Sequence, residues 1–154
     1  MQSRIGAGAV AGLIAGVVFG MMMQMMNAPT PDGGQMPMMA MVAKVVGSAS
    51  LTVGWIYHLF NSAMIGAIFA WLFSSRAATV GNGLGWGAVY GIVWWILGGQ
   101  ILMPLALGMP PFASIMMAPM RMVAVGSLIG HMMYGLILGG LFPVFARTAR
   151  PVMP

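Results

Sequence analysis

Two histidines, His58 and His131, lie inside apolar stretches of this sequence, in matching patterns of small residues: Gly54-x-x-x-His58-x-x-x-Ser62-x-x-x-Gly66 and Ser127-x-x-x-His131-x-x-x-Gly135-x-x-x-Gly139. A polar side chain within a membrane is costly unless it faces a partner or a cavity. Two imidazoles at one depth could ligate a b-type haem axially, bind a metal or relay protons. In the alternative, a packing role, each histidine hydrogen-bonds a neighbouring helix, with Asn61 and Ser62 as nearby candidates.

Methionine is unusually frequent, with 20 residues. Thioether sulfur suits Cu(I), and six methionines have the spacing of copper-binding motifs: Met36, Met38, Met39, Met41, Met120 and Met122. The alternative is that methionine fills irregular space, since its side chain is flexible and apolar.

Lys44 and Arg121 occupy similar places before two long apolar runs and could bind an anionic head group. They could equally anchor the chain at the membrane interface, with apolar stems along the protein. The single carboxylate, Asp32, provides no acid–base pair, and neither a phosphate loop nor a zinc signature occurs. We therefore predict that the protein is not an enzyme.

The elements that carry these residues are membrane spans. Hydrophobic residues make up 60% of the chain and charged residues 5%, against about 25% charged in a soluble domain. A span needs about 20 apolar residues, and four windows qualify: 5–26, 51–74, 83–105 and 123–146. The six cations are scattered, which excludes a phosphate-tracking surface for nucleic acid.

The histidine patterns predict an internal repeat. Gly8-Ala-Val-Ala-Gly12 resembles Gly87-Ala-Val-Tyr-Gly91, and Met41-Val-Ala43 resembles Met122-Val-Ala124. We predict an all-α integral membrane fold in one domain (1–154). Its four transmembrane helices form two tandem two-helix repeats, about 5–75 and about 83–146, related by a pseudo-two-fold axis along the bilayer normal. Each repeat should carry a short interfacial or re-entrant helix.

Charge predicts the orientation, because cytoplasmic loops carry more lysine and arginine. Lys44 and Arg121 lie on one side, and the other side holds four arginines: Arg4, Arg76, Arg147 and Arg150. Both termini are therefore expected in the cytoplasm.

The order of these signals resembles a family of small four-span bacterial inner-membrane proteins known only as a domain of unknown function. The resemblance rests on Pro29-x-Pro31-Asp32, Gly54-Trp55-x-x-His58, Tyr90-Gly91, Met103-Pro104 and Ser127-Leu-x-Gly130-His131-x-x-Tyr134-Gly135. It implies a bacterial inner membrane and marks the histidines as signature positions, but it implies no activity.

The leading functional hypothesis is a non-catalytic accessory or structural subunit, partnered by the lipid bilayer and by other membrane subunits or by copies of itself. One alternative is a haem b-binding or electron-transfer protein using His58 and His131. Another is a small transporter or Cu(I)-handling protein.

Overall fold

The computed structural model describes residues 2–30 and 32–148, so Arg150 lies outside the described residues. Seven α-helices, a small hairpin, a π-helical segment and a 3₁₀ turn follow one another along this part of the chain. They are α1 (Gln2–Met25), β1 (Asn27–Pro29), β2 (Gln35–Pro37), α2 (Met38–Val45), α3 (Leu51–Phe73), α4 (Val80–Trp94), the π-helical segment (Trp95–Leu102), α5 (Met103–Ala106), α6 (Ala113–Met116), the 3₁₀ turn (Ala118–Met120) and α7 (Arg121–Thr148).

Four helical stretches are long and apolar enough to cross a membrane: Arg4–Met25, Leu51–Phe73, Val80–Ala106 and Ala118–Thr148. They agree with the four predicted windows to within a few residues, except that the last helix begins earlier. The prediction of a helical fold with four helices long and apolar enough to span a membrane is therefore confirmed.

The third span is not a uniform α-helix, because Pro104 interrupts its hydrogen bonding. Proline has no N–H, so the carbonyl of Gln100, four residues earlier, loses its usual helical partner. The backbone N–H of Phe112 donates to that carbonyl instead, at 2.6 Å. Wider helical turns commonly appear where the regular ladder is broken, and here they span Trp95–Leu102.

Small residues bring the helices together in two close pairs, α1 with α3 and α4 with α7, while α1 also packs along α7. A Cβ on Gly66 would overlap the backbone of Gly8, and a Cβ on Gly139 would overlap that of Gly83. Close backbone approach of this kind is a common basis of helix association in lipid, where the hydrophobic effect contributes little.

Aromatic side chains, rather than glycines, connect α3 with α4. The Tyr90 hydroxyl donates to the carbonyl of Ile65 at 2.8 Å. The ring of Phe69 lies 5.2 Å from that of Tyr90, and Phe73 stacks on Trp86 at 5.0 Å. Large rings keep these two helices apart.

The segment between the first two spans folds back on the bundle. Strands β1 and β2 pair antiparallel, and α2, the expected short helix, lies on α3 where Met39 and Ala43 meet Gly54. The corresponding region before the last span holds α6 and the 3₁₀ turn. The alignment of Met41 with Met122 pairs residues of elements that do not correspond, because Met41 lies in α2 and Met122 in the first turn of α7.

Candidate binding cavity

His58 points from α3 into the bundle and is fixed by α1. Its Nε2 lies 2.8 Å from the carbonyl oxygen of Gly16, so Nε2 carries the hydrogen and donates. Ser62, one turn later, donates its hydroxyl to the His58 carbonyl at 2.8 Å. The imidazole stands edge-on to Phe19 and Trp55, with centroids 5.6 and 6.2 Å away.

His131 is held by its own helix, α7. Its Nδ1 lies 2.8 Å from the Ser127 carbonyl, so here Nδ1 is the donor. The Phe19 ring lies 4.8 Å from the imidazole of His131, which places both histidines at the level of one α1 side chain. Each imidazole has one nitrogen, Nδ1 of His58 and Nε2 of His131, that has no hydrogen-bond partner among the described residues.

Both histidines line a cavity of about 550 Å³ on the α2 side of the bundle. The walls come from α1, α2, α3 and α7, and from the end of α4 with the π-helical segment and α5. Met64 and Leu102 are in the lining, and 43% and 57% of their surfaces are exposed. The cavity therefore opens sideways, between the second and third spans.

Polar groups gather at the inner part of this cavity. They are His58, Asn61, Ser62, Ser127, His131 and Tyr134, with Tyr57 on the wall. The Tyr134 hydroxyl is already bound to the Ser62 carbonyl at 2.7 Å. Around these groups the walls are apolar, and no charged side chain of the described residues lines them. Such a pocket, largely apolar with a few convergent polar groups, is typical of a small-molecule site.

Two local features of the sequence create the space. Tyr57, Asn61 and Met64 recur every three or four residues and so share the face of α3 that lines the cavity. Opposite them, Gly98 and Gly99 present no side chain. A Cβ on Gly98 would meet nothing closer than Trp94, at 3.7 Å.

The placement of Phe19 bears on haem binding. Two axial imidazoles must face each other across an open gap that accommodates a porphyrin. Here the Phe19 ring lies against both imidazoles, with its centroid 5.6 Å from that of His58 and 4.8 Å from that of His131. The arrangement does not fit a haem held between His58 and His131.

The six methionines with copper-like spacing do not come together at one point. Met38 lines the cavity, whereas Met39 is buried against α3 and 77% of the Met122 surface is exposed. Three other methionines that the spacing did not single out, Met23, Met64 and Met103, line the cavity with Met38. In residues 2–30 and 32–148, no group of three His, Cys, Asp or Glu side chains could hold a metal ion.

Lys44 and Arg121 are both exposed and neither lines the cavity. The Arg121 Nε donates to the carbonyl of Ile115 in α6 at 3.4 Å. Sequence reasoning missed Gln100, which is buried and accepts a hydrogen bond from the Ser114 hydroxyl at 2.6 Å. An amide within an apolar run was the available signal, because polar groups in spans usually have a partner.

The chain matches no family model, no curated protein and no solved structure. The resemblance to four-span proteins of unknown function therefore stays a prediction.

Proposed function

We propose that this protein is a non-catalytic accessory subunit of the bacterial inner membrane that holds a neutral, lipid-soluble molecule. The cavity between the second and third spans carries this proposal. Its mouth opens toward the surrounding lipid, so a ligand can enter from the bilayer. The single carboxylate side chain, Asp32, does not line the cavity, so the site lacks a carboxyl acid–base pair.

The lining favours a neutral molecule with a hydroxyl group. A charged ligand would lose its hydration without finding an opposite charge, which is costly in an apolar site. His58 Nδ1 and His131 Nε2 can accept a hydrogen bond, and the Asn61 amide can donate one. A hydroxyl both donates and accepts, so one such group satisfies both kinds of partner. A quinol, through its ring hydroxyl groups, and a long-chain alcohol both have this chemistry.

The test fills the cavity without disturbing the helix packing. In Gly98→Leu the new side chain projects into the cavity, whereas in the matched control, Gly85→Leu, it projects from a glycine of the same span with nothing within 4 Å. Wild type and variants are purified in mild detergent, and the bound organic-soluble molecules are quantified by mass spectrometry.

We expect one neutral hydroxylated species to be enriched in wild type and in the control, relative to bulk membrane lipid. Gly98→Leu should reduce this enrichment at least tenfold. If wild type carries only the bulk lipid composition, the proposal is wrong.

Cu(I) binding is the second candidate function, favoured by the four methionines and two histidines that line one cavity. Thioether and imidazole are both ligands of Cu(I). Under copper loading, Met64→Leu with Met103→Leu should lower bound copper, whereas exposed Met122→Leu should not. Copper far below one ion per chain in wild type would exclude this function.

We infer that the bundle arose by duplication of a two-helix unit, and the glycine contacts support this. Gly8 meets Gly66 in the first pair, and Gly83 meets Gly139 in the second. Since Gly66 and Gly139 align through the histidines, Gly8 corresponds to Gly83. This alignment differs by four residues, about one helical turn, from the alignment of Gly8 with Gly87 that the sequence pattern suggests.

A pseudo-two-fold axis is supported by two residues that the duplication makes equivalent. Phe69 and Phe142 contact each other edge to face, with ring centroids 5.7 Å apart. Equivalent side chains meet in this way only near the axis that relates them. The axis would pass between α3 and α7, parallel to the spans.

The same duplication explains why the cavity lies on one side only. In the α1–α7 contact, Phe19 packs on Gly130, where a Cβ would overlap the ring. The inferred registers pair Phe19 with Trp94 and Gly130 with Tyr57. Both Trp94 and Tyr57 line the cavity. At the α1–α7 contact, Gly130 lets the helices pack closely. At the equivalent α3–α4 contact, the large side chains of Trp94 and Tyr57 keep the helices apart and leave the cavity between them.

Membership of a larger assembly, or of a homo-oligomer, is the remaining part of the proposal. Ile56, Phe60 and Trp71 on the outer face of α3 are 64–67% exposed, and the four spans contain about two thirds of the chain. A partner would therefore be recognised within the membrane, by helix packing. A lone monomer in mild detergent, with no companion subunit, would contradict this part while leaving the ligand proposal standing.

A further inference from the structure

A second, smaller cavity of about 230 Å³ lies at the opposite end of the bundle, where α1 begins and α3 and α7 end. Two arginines from different helices line it, Arg4 in the first turn of α1 and Arg147 in the last turn of α7. Ser74 adds a hydroxyl at the end of α3. None of these residues belongs to the histidine cavity.

These arginines have no acidic side chain to pair with. The only carboxylate side chain in the sequence is Asp32, which lies between β1 and β2 at the far end of the bundle. Arg147 donates one hydrogen bond to the carbonyl of Ala78 at 3.3 Å. A guanidinium has five N–H donors, so most of the donors in this pocket have no partner within residues 2–30 and 32–148 and can bind an added group.

The rest of the pocket is apolar and firmly packed. Phe142 and Pro143 are almost completely buried and form its floor, and Ala77 is fully buried beside them. Two guanidinium groups beside an apolar surface suit a ligand that has an anionic head group and a hydrocarbon part. A planar guanidinium matches the oxygens of a phosphate bidentately.

We propose that this pocket binds a phosphate group, either the head-group phosphate of an anionic membrane lipid or free phosphate. The charge distribution agrees with this assignment, because the predicted cytoplasmic side of the membrane carries the anionic lipid surface. The bound phosphate supplies a counter-charge that no acidic side chain of the described residues supplies at this end. The site is independent of the ligand proposed for the histidine cavity.

The test compares variants that remove cations at the same end of the bundle. Arg4→Gln with Arg147→Gln alters the pocket, and Arg76→Gln, which does not line the pocket, is the control. Binding of phosphatidylglycerol and of diacylglycerol, which lacks the phosphate, is measured by native mass spectrometry. Wild type should prefer phosphatidylglycerol, and the pocket variant should lose about tenfold in its binding while the control retains it.

Inorganic phosphate then distinguishes the two sources. If millimolar phosphate displaces the lipid from wild type and binds the pocket variant about tenfold more weakly, free phosphate is the ligand. If it does not displace the lipid, the head group is the ligand. Arg4→Lys with Arg147→Lys, which keeps the charges, should retain part of the binding and controls for misfolding. Equal loss in the pocket variant and in Arg76→Gln, or equal binding of diacylglycerol by wild type, would overturn the proposal.

Discussion

Single residues decide how closely these helices approach, and glycine does so in different ways along one helix. Gly87 lies against the carbonyl of Gly135, while Gly85, two residues earlier, has nothing within 4 Å of its missing Cβ. The first therefore permits a backbone contact, and the second only exposes the helix to lipid. The sequence spacing distinguishes these two kinds of glycine, since Gly83, Gly87 and Gly91 recur every four residues on one face and Gly85 does not belong to that series.

We expect Gly87→Ala to destabilise the protein by about 1–3 kcal/mol, the usual cost of forcing an extra methyl group into a packed contact. The neighbouring backbone cannot rotate away as a side chain could. Gly85→Ala should be neutral or slightly stabilising, because alanine favours a helix over glycine by up to about 1 kcal/mol. Thermal unfolding in one detergent compares the two, and equal midpoints would show that the Gly87 contact is not a packing constraint.

The β1–β2 hairpin is an element whose turn depends on polar contacts. The Thr30 N–H donates to the Gly34 carbonyl and the Gly33 N–H to the Thr30 carbonyl, both at 3.0 Å. Gly33 has φ +84°, a conformation that glycine adopts without strain. The Thr30 hydroxyl, with the backbone N–H groups of Asp32 and Gly34, lowers the pKa of the Asp32 carboxyl below its usual value of 3.8.

A lowered folded-state pKa means that the ionised carboxylate stabilises the turn. This contribution is complete above the ordinary pKa near 3.8 and is lost as the pH falls through the lower, folded value. Thr30→Val should raise the pKa of Asp32 toward 3.8, and Thr30→Ser should keep it low. The carboxyl ¹³C NMR signal can be followed directly, because the sequence has one acidic side chain. An identical titration in the Val and Ser variants would contradict this role for the hydroxyl.

The elements differ in how far their sequence predicts them. The four spans follow from the length of apolar runs, and α2 from a run too short to cross. The π-helical segment was missed, although Gly98, Gly99 and Pro104 together mark a weak point in the third span. Its position depends on where the carbonyl of Gln100 finds a new donor, which only the folded chain determines.

At the scale of the whole molecule, the cavity was not predictable from one sequence. The prediction placed the histidines correctly within two of the apolar helices. It did not foresee that the Phe19 ring from α1 contacts both imidazoles. Met23, Met64 and Met103 come from three separated parts of the chain, and no spacing links them. Their meeting depends on which pairs of helices pack closely, and sequence patterns do not determine this.

Orientation is a further property of the whole molecule, and the chain is well suited to measuring it because it has no cysteine. Arg4, Arg76 and Arg147 lie at one end, against Lys44 and Arg121 at the other, and loops rich in cations stay in the cytoplasm. We therefore predict that the hairpin and the mouth of the histidine cavity lie in the outer half of the bilayer and that the arginine pocket faces the cytoplasm.

Single cysteines at two exposed loop positions test this orientation. We expect Gln35→Cys, in β2, to react with a membrane-impermeant maleimide in cells whose inner membrane is intact. Ser75→Cys, in the α3–α4 turn, should react only after that membrane is permeabilised, and both should label equally once the membrane is dissolved. The opposite labelling pattern would show that the orientation in the membrane is the reverse of the predicted one. The arginine pocket would then face away from the cytoplasmic lipid surface, and the charge argument for its phosphate ligand would lose its support, although the pocket itself would remain.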